Sequence, residues 1–109
     1  MSTSSYPRFS PGEIVATPGA LALLVQHGVR PETLLYRHLS GDWGSLCSDD
    51  VAVNESALRT GSRILSSYVI APGITLWIIT DAESQIDNAG NVLIPPCRLS
   101  TTILRPEEY

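Results

Sequence analysis

The segment from residue 62 to residue 80 constrains the fold of this chain more than any other part of the sequence. Apolar residues alternate from Ile64 to Ile70 at the two-residue period of a β-strand, and Pro72-Gly73 then favours a tight turn. Residues 75–80 follow as a segment rich in β-branched and aromatic residues that is apolar on both faces. We therefore predict a β-hairpin whose second strand lies in the middle of a sheet.

Three helical segments are predicted before this hairpin. The first follows Thr17-Pro18, where threonine can cap a helix and proline fits its first position, and we expect this helix to be buried on most sides. A second helix opens at Pro31, with Leu35 and Leu39 forming its apolar stripe. The third ends at Gly61, which suits a left-handed C-terminal position.

Two further strands complete the predicted fold. Residues 13–16 form a short apolar strand, and residues 100–104 form a β-branched strand that ends before Pro106. The predicted class is α+β, with about three N-terminal helices packed on a small antiparallel sheet of three to four strands. A chain of 109 residues lies in the single-domain range. We expect residues 1–12 to be a flexible lead and residues 13–109 to be one domain.

Residues 83–97 interrupt this pattern as an excursion. Turn-forming residues at 87–91 lie between Ile86 and the apolar segment 92–94, and Pro95-Pro96 blocks regular strand pairing. One interpretation is an extra hairpin whose exposed apolar segment is a contact surface. The alternative is that the segment folds over the edge of the core.

The composition excludes several classes of function. All seven basic residues are arginine, so no lysine is present to form a Schiff base or a P-loop. The net charge of -4 opposes attraction to a phosphate backbone, and we do not expect direct binding to nucleic acid. No apolar run approaches the ~20 residues of a spanning helix, and the first residues do not resemble a secretory signal. We therefore expect a cytoplasmic protein without a membrane segment, whose two cysteines are reduced.

Four stretches of the sequence carry a resemblance to a known family: HLSGDWG at 38–44, RTGSRILSSY at 59–68, LWIIT at 76–80 and STTILRPEEY at 100–109. Together they resemble small uncharacterised proteins carried by proteobacterial plasmids and integrative elements, some of which are labelled plasmid-related or as restriction-system subunits. The resemblance extends from about residue 13 to residue 109. It implies a protein of a mobile genetic element and no particular activity. These relatives have a shorter link in place of 83–97, so a function specific to this chain is expected there.

We expect partner-binding residues in the GDWG loop, in the excursion and at the C-terminus. The candidates are Asp42, Trp43, Asp87, Asn88, Val92, Leu93, Glu107 and Glu108. Asp42 can accept hydrogen bonds from an arginine of a partner, and the indole of Trp43 can anchor that partner. The alternative is a structural loop with the indole in the core. The final glutamates suit a basic protein partner if they dock, and otherwise form a solvated end.

The leading hypothesis is a non-enzymatic protein-binding module encoded by a mobile genetic element. Its expected role is inhibition of a host defence system, of the anti-CRISPR or anti-restriction type, through a host or element-encoded protein partner. The acidic charge, the sequence without a catalytic signature and the family resemblance motivate it. No cofactor is expected, and no metal site, because Asp42, Asp49 and Asp50 do not match the spacing of a calcium loop. The open edges of a small sheet also allow a homodimer.

The alternative hypothesis is a small metal-independent ribonuclease of the bacterial toxin type. In that interpretation His38 is the general acid or base, and Arg63 and Arg98 stabilise the phosphate in the transition state. Thr102 is the fourth candidate of this site. The acidic charge and the missing lysines count against this alternative.

Overall fold

The computed structural model describes residues 7–109. In chain order its elements are β1 (Glu13–Ala16), α1 (Pro18–Gln26), α2 (Pro31–Leu39), α3 (Ser48–Thr60), β2 (Ile64–Ala71), β3 (Ile74–Thr80), β4 (Glu83–Ile86), β5 (Val92–Arg98), β6 (Ser100–Leu104) and a short 3-10 helix, Pro106–Glu108. The predicted α+β class is confirmed. Within residues 7–109 there is no helix of the length and hydrophobicity required to cross a lipid bilayer.

The main sheet has four strands in the order β1-β6-β3-β2. The predicted position of residues 75–80 is confirmed, because β3 lies between β2 and β6 and is antiparallel to both. The prediction of an antiparallel sheet is wrong for β1, which pairs with β6 in parallel. A parallel neighbour needs a long crossover connection, and the chain from α1 to β5, which lies between β1 and β6, supplies it.

One face of the sheet packs against α1 and α2. The core there consists of Ala20, Leu24, Leu34, Tyr68, Leu76, Ile78 and Ile103. Helix α1 buries only its Ala20 and Leu24 face, and Val25 is 82% exposed, so the prediction that this helix is buried on most sides is wrong. The buried stripe of α2 contains Leu34 and His38, one position before the predicted leucines.

Helix α3 covers the β2 edge of the sheet. Asn54 on this helix donates to the Leu65 carbonyl at 2.7 Å and accepts from the Leu65 amide at 3.2 Å. Next to it, the Ser67 amide donates to the Trp43 carbonyl, so the loop after α2 also pairs with β2. Gly44 has a φ of +78°, and a Cβ there would lie 1.9 Å from the Ser67 carbonyl oxygen. The edge is therefore closed by contacts that require glycine.

The predicted extra hairpin is present as a second sheet, in which β4 and β5 pair antiparallel. Glu83 pairs with Arg98 at its base, and Ile86 pairs with Val92 at its tip. Between these pairs β5 has more residues than β4, so Leu93–Pro96 bulges out of the ladder, as the two prolines predicted.

Residues 1–6 of the predicted lead lie outside the described residues. In the part that is described, the Arg8 amide donates to the Leu39 carbonyl and its guanidinium pairs with Glu55 at 3.0 Å. Phe9 stacks on Trp43 with ring centroids 6.2 Å apart. The contacts of the domain therefore begin before residue 13.

Candidate protein-binding surface

The β4–β5 hairpin carries a cluster of exposed apolar side chains. Ile86, Val92 and Ile94 are 53%, 71% and 90% exposed, respectively. Beside them, a shallow groove of about 360 Å³ is lined by Gln85, Val92, Leu93, Ile94 and Pro96. Exposed apolar side chains grouped on one hairpin make this segment the candidate protein-binding surface.

The tip of the hairpin is an ordered turn. The Asp87 carboxylate accepts hydrogen bonds from the Ala89 amide at 2.9 Å and from the Asn91 amide at 2.8 Å. These hydrogen bonds, led by the one from the Asn91 backbone, lower the pKa of Asp87. Asn88 is exposed in the turn. The tip therefore presents a fixed negative charge beside the apolar cluster.

Arg98 fixes the base of the hairpin to the domain. Its guanidinium donates to the carbonyls of Ser62, Asp81 and Ala57 at 2.7, 3.0 and 3.1 Å. The side chain is only 5% exposed and lies over the ring of Phe9. Burial lowers the pKa of Arg98, although a guanidinium stays protonated in proteins. Because three carbonyls hold this charged group, the base of the hairpin is fixed to the rest of the domain.

The GDWG loop does not present its indole to a partner. Trp43 is 4% exposed, and its Nε1 donates to Glu55 at 2.9 Å. The expectation of an exposed anchor is therefore wrong, and the observed arrangement is the alternative, a structural loop with the indole in the core. Asp42 forms an ion pair with Arg37 at 2.7 Å and accepts from the Gly44 amide. The hydrogen bond from Arg37 lowers the pKa of Asp42. Both candidates in this loop therefore hold local structure.

The C-terminal glutamates also lie against the domain. Glu108 accepts from the Thr17 hydroxyl and from the Arg105 amide, each at 2.7 Å. These hydrogen bonds lower the pKa of Glu108, the one from the Arg105 backbone most. Thr17 is the N-cap of α1, which has no acidic residue in its own first turn, so Glu108 supplies the negative charge that a helix N-terminus favours. Glu107 pairs with Arg105.

His38, the proposed acid or base of the ribonuclease alternative, is completely buried. Its Nε2 lies 2.8 Å from the Thr80 hydroxyl and its Nδ1 lies 2.5 Å from the Ser66 hydroxyl. Thr80 in turn lies 2.7 Å from the Thr101 hydroxyl. We call His38, Ser66, Thr80 and Thr101 the His38 network. Sequence reasoning missed it because its members are far apart in the chain.

The network determines which imidazole nitrogen carries the proton. Thr101 must donate to the Pro11 carbonyl, 2.8 Å away, because a carbonyl only accepts. Thr80 must then donate to Thr101, and it accepts from His38 Nε2. Nδ1 carries no proton and accepts from Ser66. Burial, with a smaller contribution from the Arg98 charge, lowers the pKa of His38 to about 3. His38 is therefore inferred to be a neutral imidazole with its proton on Nε2.

The four ribonuclease candidates do not meet at one accessible point. Strand alternation places Thr102 on the face opposite Thr101 and His38. Arg63 lines a groove on the face away from the core, where its side chain contacts Tyr109. Arg98 uses its donors on backbone carbonyls. This arrangement gives a substrate phosphate no common site.

Within residues 7–109, no three His, Cys, Asp or Glu side chains are grouped so that they could hold a metal ion. Cys47 and Cys97 are both free and exposed. The sequence matches no protein-family model, and neither curated proteins nor solved structures give a significant match.

Proposed function

We propose that this protein is a non-enzymatic binding module and that the β4–β5 hairpin is its binding arm. The observation that carries the proposal is the exposed cluster of Ile86, Val92 and Ile94 on a hairpin fixed at its base by Arg98. A rigid arm loses little conformational entropy when it binds, and three apolar side chains supply the area to be buried.

The charge of the arm indicates the kind of partner. Asp81 and Glu83 lie exposed near its base and Asp87 lies at its tip, while the whole chain has a net charge of -4. A protein surface with an apolar groove bordered by arginine or lysine complements both features. Strand β1 is an edge strand of the main sheet, where a second copy of the chain could pair. A homodimer through this edge stays a prediction.

We further propose that the partner belongs to a host defence system and that binding inhibits it, in the manner of an anti-CRISPR or anti-restriction protein of a mobile element. The sequence resemblance to plasmid and integrative-element proteins supports this role, and it implies action in the cytoplasm. A protein that blocks a nuclease complex needs a binding surface and no chemistry of its own. The buried, neutral His38 supports a binding role over a ribonuclease.

The test is the transformation of cells that carry an active restriction or CRISPR system with a plasmid bearing its target. Expression of the protein should raise the transformation efficiency, and the double variant Val92→Asp/Ile94→Asp should abolish the gain. Val25→Asp is the matched control, because Val25 is an equally exposed apolar residue, 82% accessible, on α1. All three side chains are exposed, so both variants should stay folded, which urea unfolding against wild type checks.

Direct binding can be measured with purified complexes of each defence system immobilised on a sensor. Wild type and Val25→Asp should bind alike, and the hairpin variant should not bind. Equal protection or equal binding by all three proteins would refute the role of the hairpin. If none of the three proteins protects against a panel of defence systems, the inhibitor role is refuted.

A further inference from the structure

A second groove lies on the sheet face that α1 and α2 leave uncovered. It has a volume of about 330 Å³, at the low end of the range of small-molecule sites. Helix α3 forms one wall and strands β2 and β3 form the floor and the other wall. Its lining residues are Leu46, Asp50, Val53, Asn54, Arg63, Leu65, Ser67 and Trp77.

The groove combines apolar walls with polar groups and has a guanidinium at one side. Val53 is 60% exposed, and the Trp77 indole is half-buried. Arg63 is exposed, and among residues 7–109 no carboxylate forms an ion pair with it. A guanidinium that none of these carboxylates neutralises, beside aromatic and aliphatic walls, suits a ligand with a ring and an anionic group.

The chain's own last residue shows the chemistry that these walls accept. The Tyr109 ring packs edge-on against Trp77 with centroids 5.9 Å apart. Its hydroxyl accepts a hydrogen bond from Arg63, whose guanidinium lies 5.3 Å from the same ring. Tyr109 is 62% exposed, so it covers Trp77 only in part. An aromatic ring with an oxygen directed at Arg63 is therefore already seated at the rim of the groove.

We propose that this groove binds small aromatic monocarboxylates. The ring of the ligand lies between Val53 and Trp77, and its carboxylate replaces the Tyr109 phenol on Arg63. A carboxylate is the stronger acceptor, since it carries a full negative charge and can accept two parallel hydrogen bonds from a guanidinium, which a neutral phenol cannot. Asp50 on the α3 wall disfavours a second negative charge on the ligand.

The test is a titration with 2-naphthoate followed by ¹H–¹⁵N NMR, with neutral 2-naphthamide as the shape-matched control. 2-Naphthoate should shift the Trp77 Nε1–H signal with a Kd of about 1 mM or below. Arg63→Gln should weaken 2-naphthoate binding at least about tenfold and leave 2-naphthamide unchanged. Tyr109→Phe keeps the ring and removes the competing hydroxyl, so it should tighten 2-naphthoate binding.

Three outcomes would overturn this proposal. The first is no shift at Trp77 up to about 5 mM ligand. The second is equal loss of both ligands in Arg63→Gln, which would show that Arg63 only shapes the groove. The third is a set of shifts centred on Ile86 and Ile94, which would assign the binding to the hairpin. Trp43 lies in the core and serves as an internal reference, since its Nε1–H is held by Glu55.

Discussion

The buried His38 makes the stability of this protein depend on pH in a predictable direction. In the unfolded chain the imidazole titrates near its ordinary value of about 6.5. In the folded protein its pKa is about 3, because the ring is buried and Arg98 adds a positive charge nearby. The unfolded state therefore binds a proton more readily than the folded state between these values. The His38 contribution is fully present above pH ~6.5 and is lost as the pH falls towards the folded pKa.

The size of the effect follows from the two pKa values. Each pH unit within the window is worth about 1.4 kcal/mol of unfolding free energy. Lowering the pH from about 7 to about 5 should therefore cost about 2 kcal/mol. The conversion is justified because His38 has no exposed surface and solvent does not screen it. Among domains with a total stability of about 5–15 kcal/mol, this is a large fraction.

The assay is urea unfolding of wild type and His38→Gln at several pH values across this window. Wild type should lose about 2 kcal/mol between about pH 7 and pH 5, and the variant should lose clearly less. His27 and all carboxylates are present in both proteins, so their contributions cancel. Equal slopes in the two proteins would refute the assignment. If the variant does not fold, ¹⁵N NMR of wild type should still show His38 protonated only on Nε2 at about pH 5, and a charged imidazole there would equally refute it.

Three further substitutions test the contacts that hold the domain together. Arg98→Lys should cost about 2–4 kcal/mol in urea unfolding and accelerate amide exchange in the hairpin, because the guanidinium reaches the three carbonyls from two nitrogens and the single nitrogen of an ammonium cannot reproduce that spacing. Unchanged exchange would contradict the anchoring role. Gly44→Ala should cost at least about 2 kcal/mol, since its Cβ would overlap the Ser67 carbonyl, and a loss below that would show that the loop can move. Glu108→Gln should lower the Tm slightly at low salt, because it removes the negative charge at the α1 N-terminus, and the difference should disappear at high salt. An effect independent of salt would argue against this electrostatic role.

The elements that the sequence predicted correctly are those with a local physical cause. The alternation after Ile64, the turn at Pro72-Gly73 and the helix end at Gly61 each depend on a few neighbouring residues. The hairpin at 83–97 was predicted for the same reason, since its turn residues and prolines act within the segment. Such signals need no knowledge of which parts of the chain meet in space.

The candidate site was harder to predict because its residues obtain their roles from distant partners. For Trp43 the sequence allowed either a partner-binding anchor or a core residue, and Phe9 and Glu55, which enclose it from two other parts of the chain, decide for the core. Glu108 looked like a solvated end, although it caps a helix that begins at Pro18. The local sequence around each residue fits an exposed position as well as a buried one. One signal was available: α1 has no acidic residue in its first turn, while Glu107 and Glu108 are adjacent acidic residues elsewhere in the chain.

The polar residues of the interior explain why the β4–β5 hairpin needs Arg98. The interior of this 109-residue chain contains a neutral imidazole, that of His38, and a charged guanidinium, that of Arg98. Each group must be fully hydrogen-bonded to be tolerated there. Arg98 satisfies this condition only by contacting α3, the turn before β2 and the end of β3 at once. A two-stranded hairpin is marginally stable by itself, so its order depends on that anchor. Arg98 is therefore expected at this position for the order it gives the hairpin.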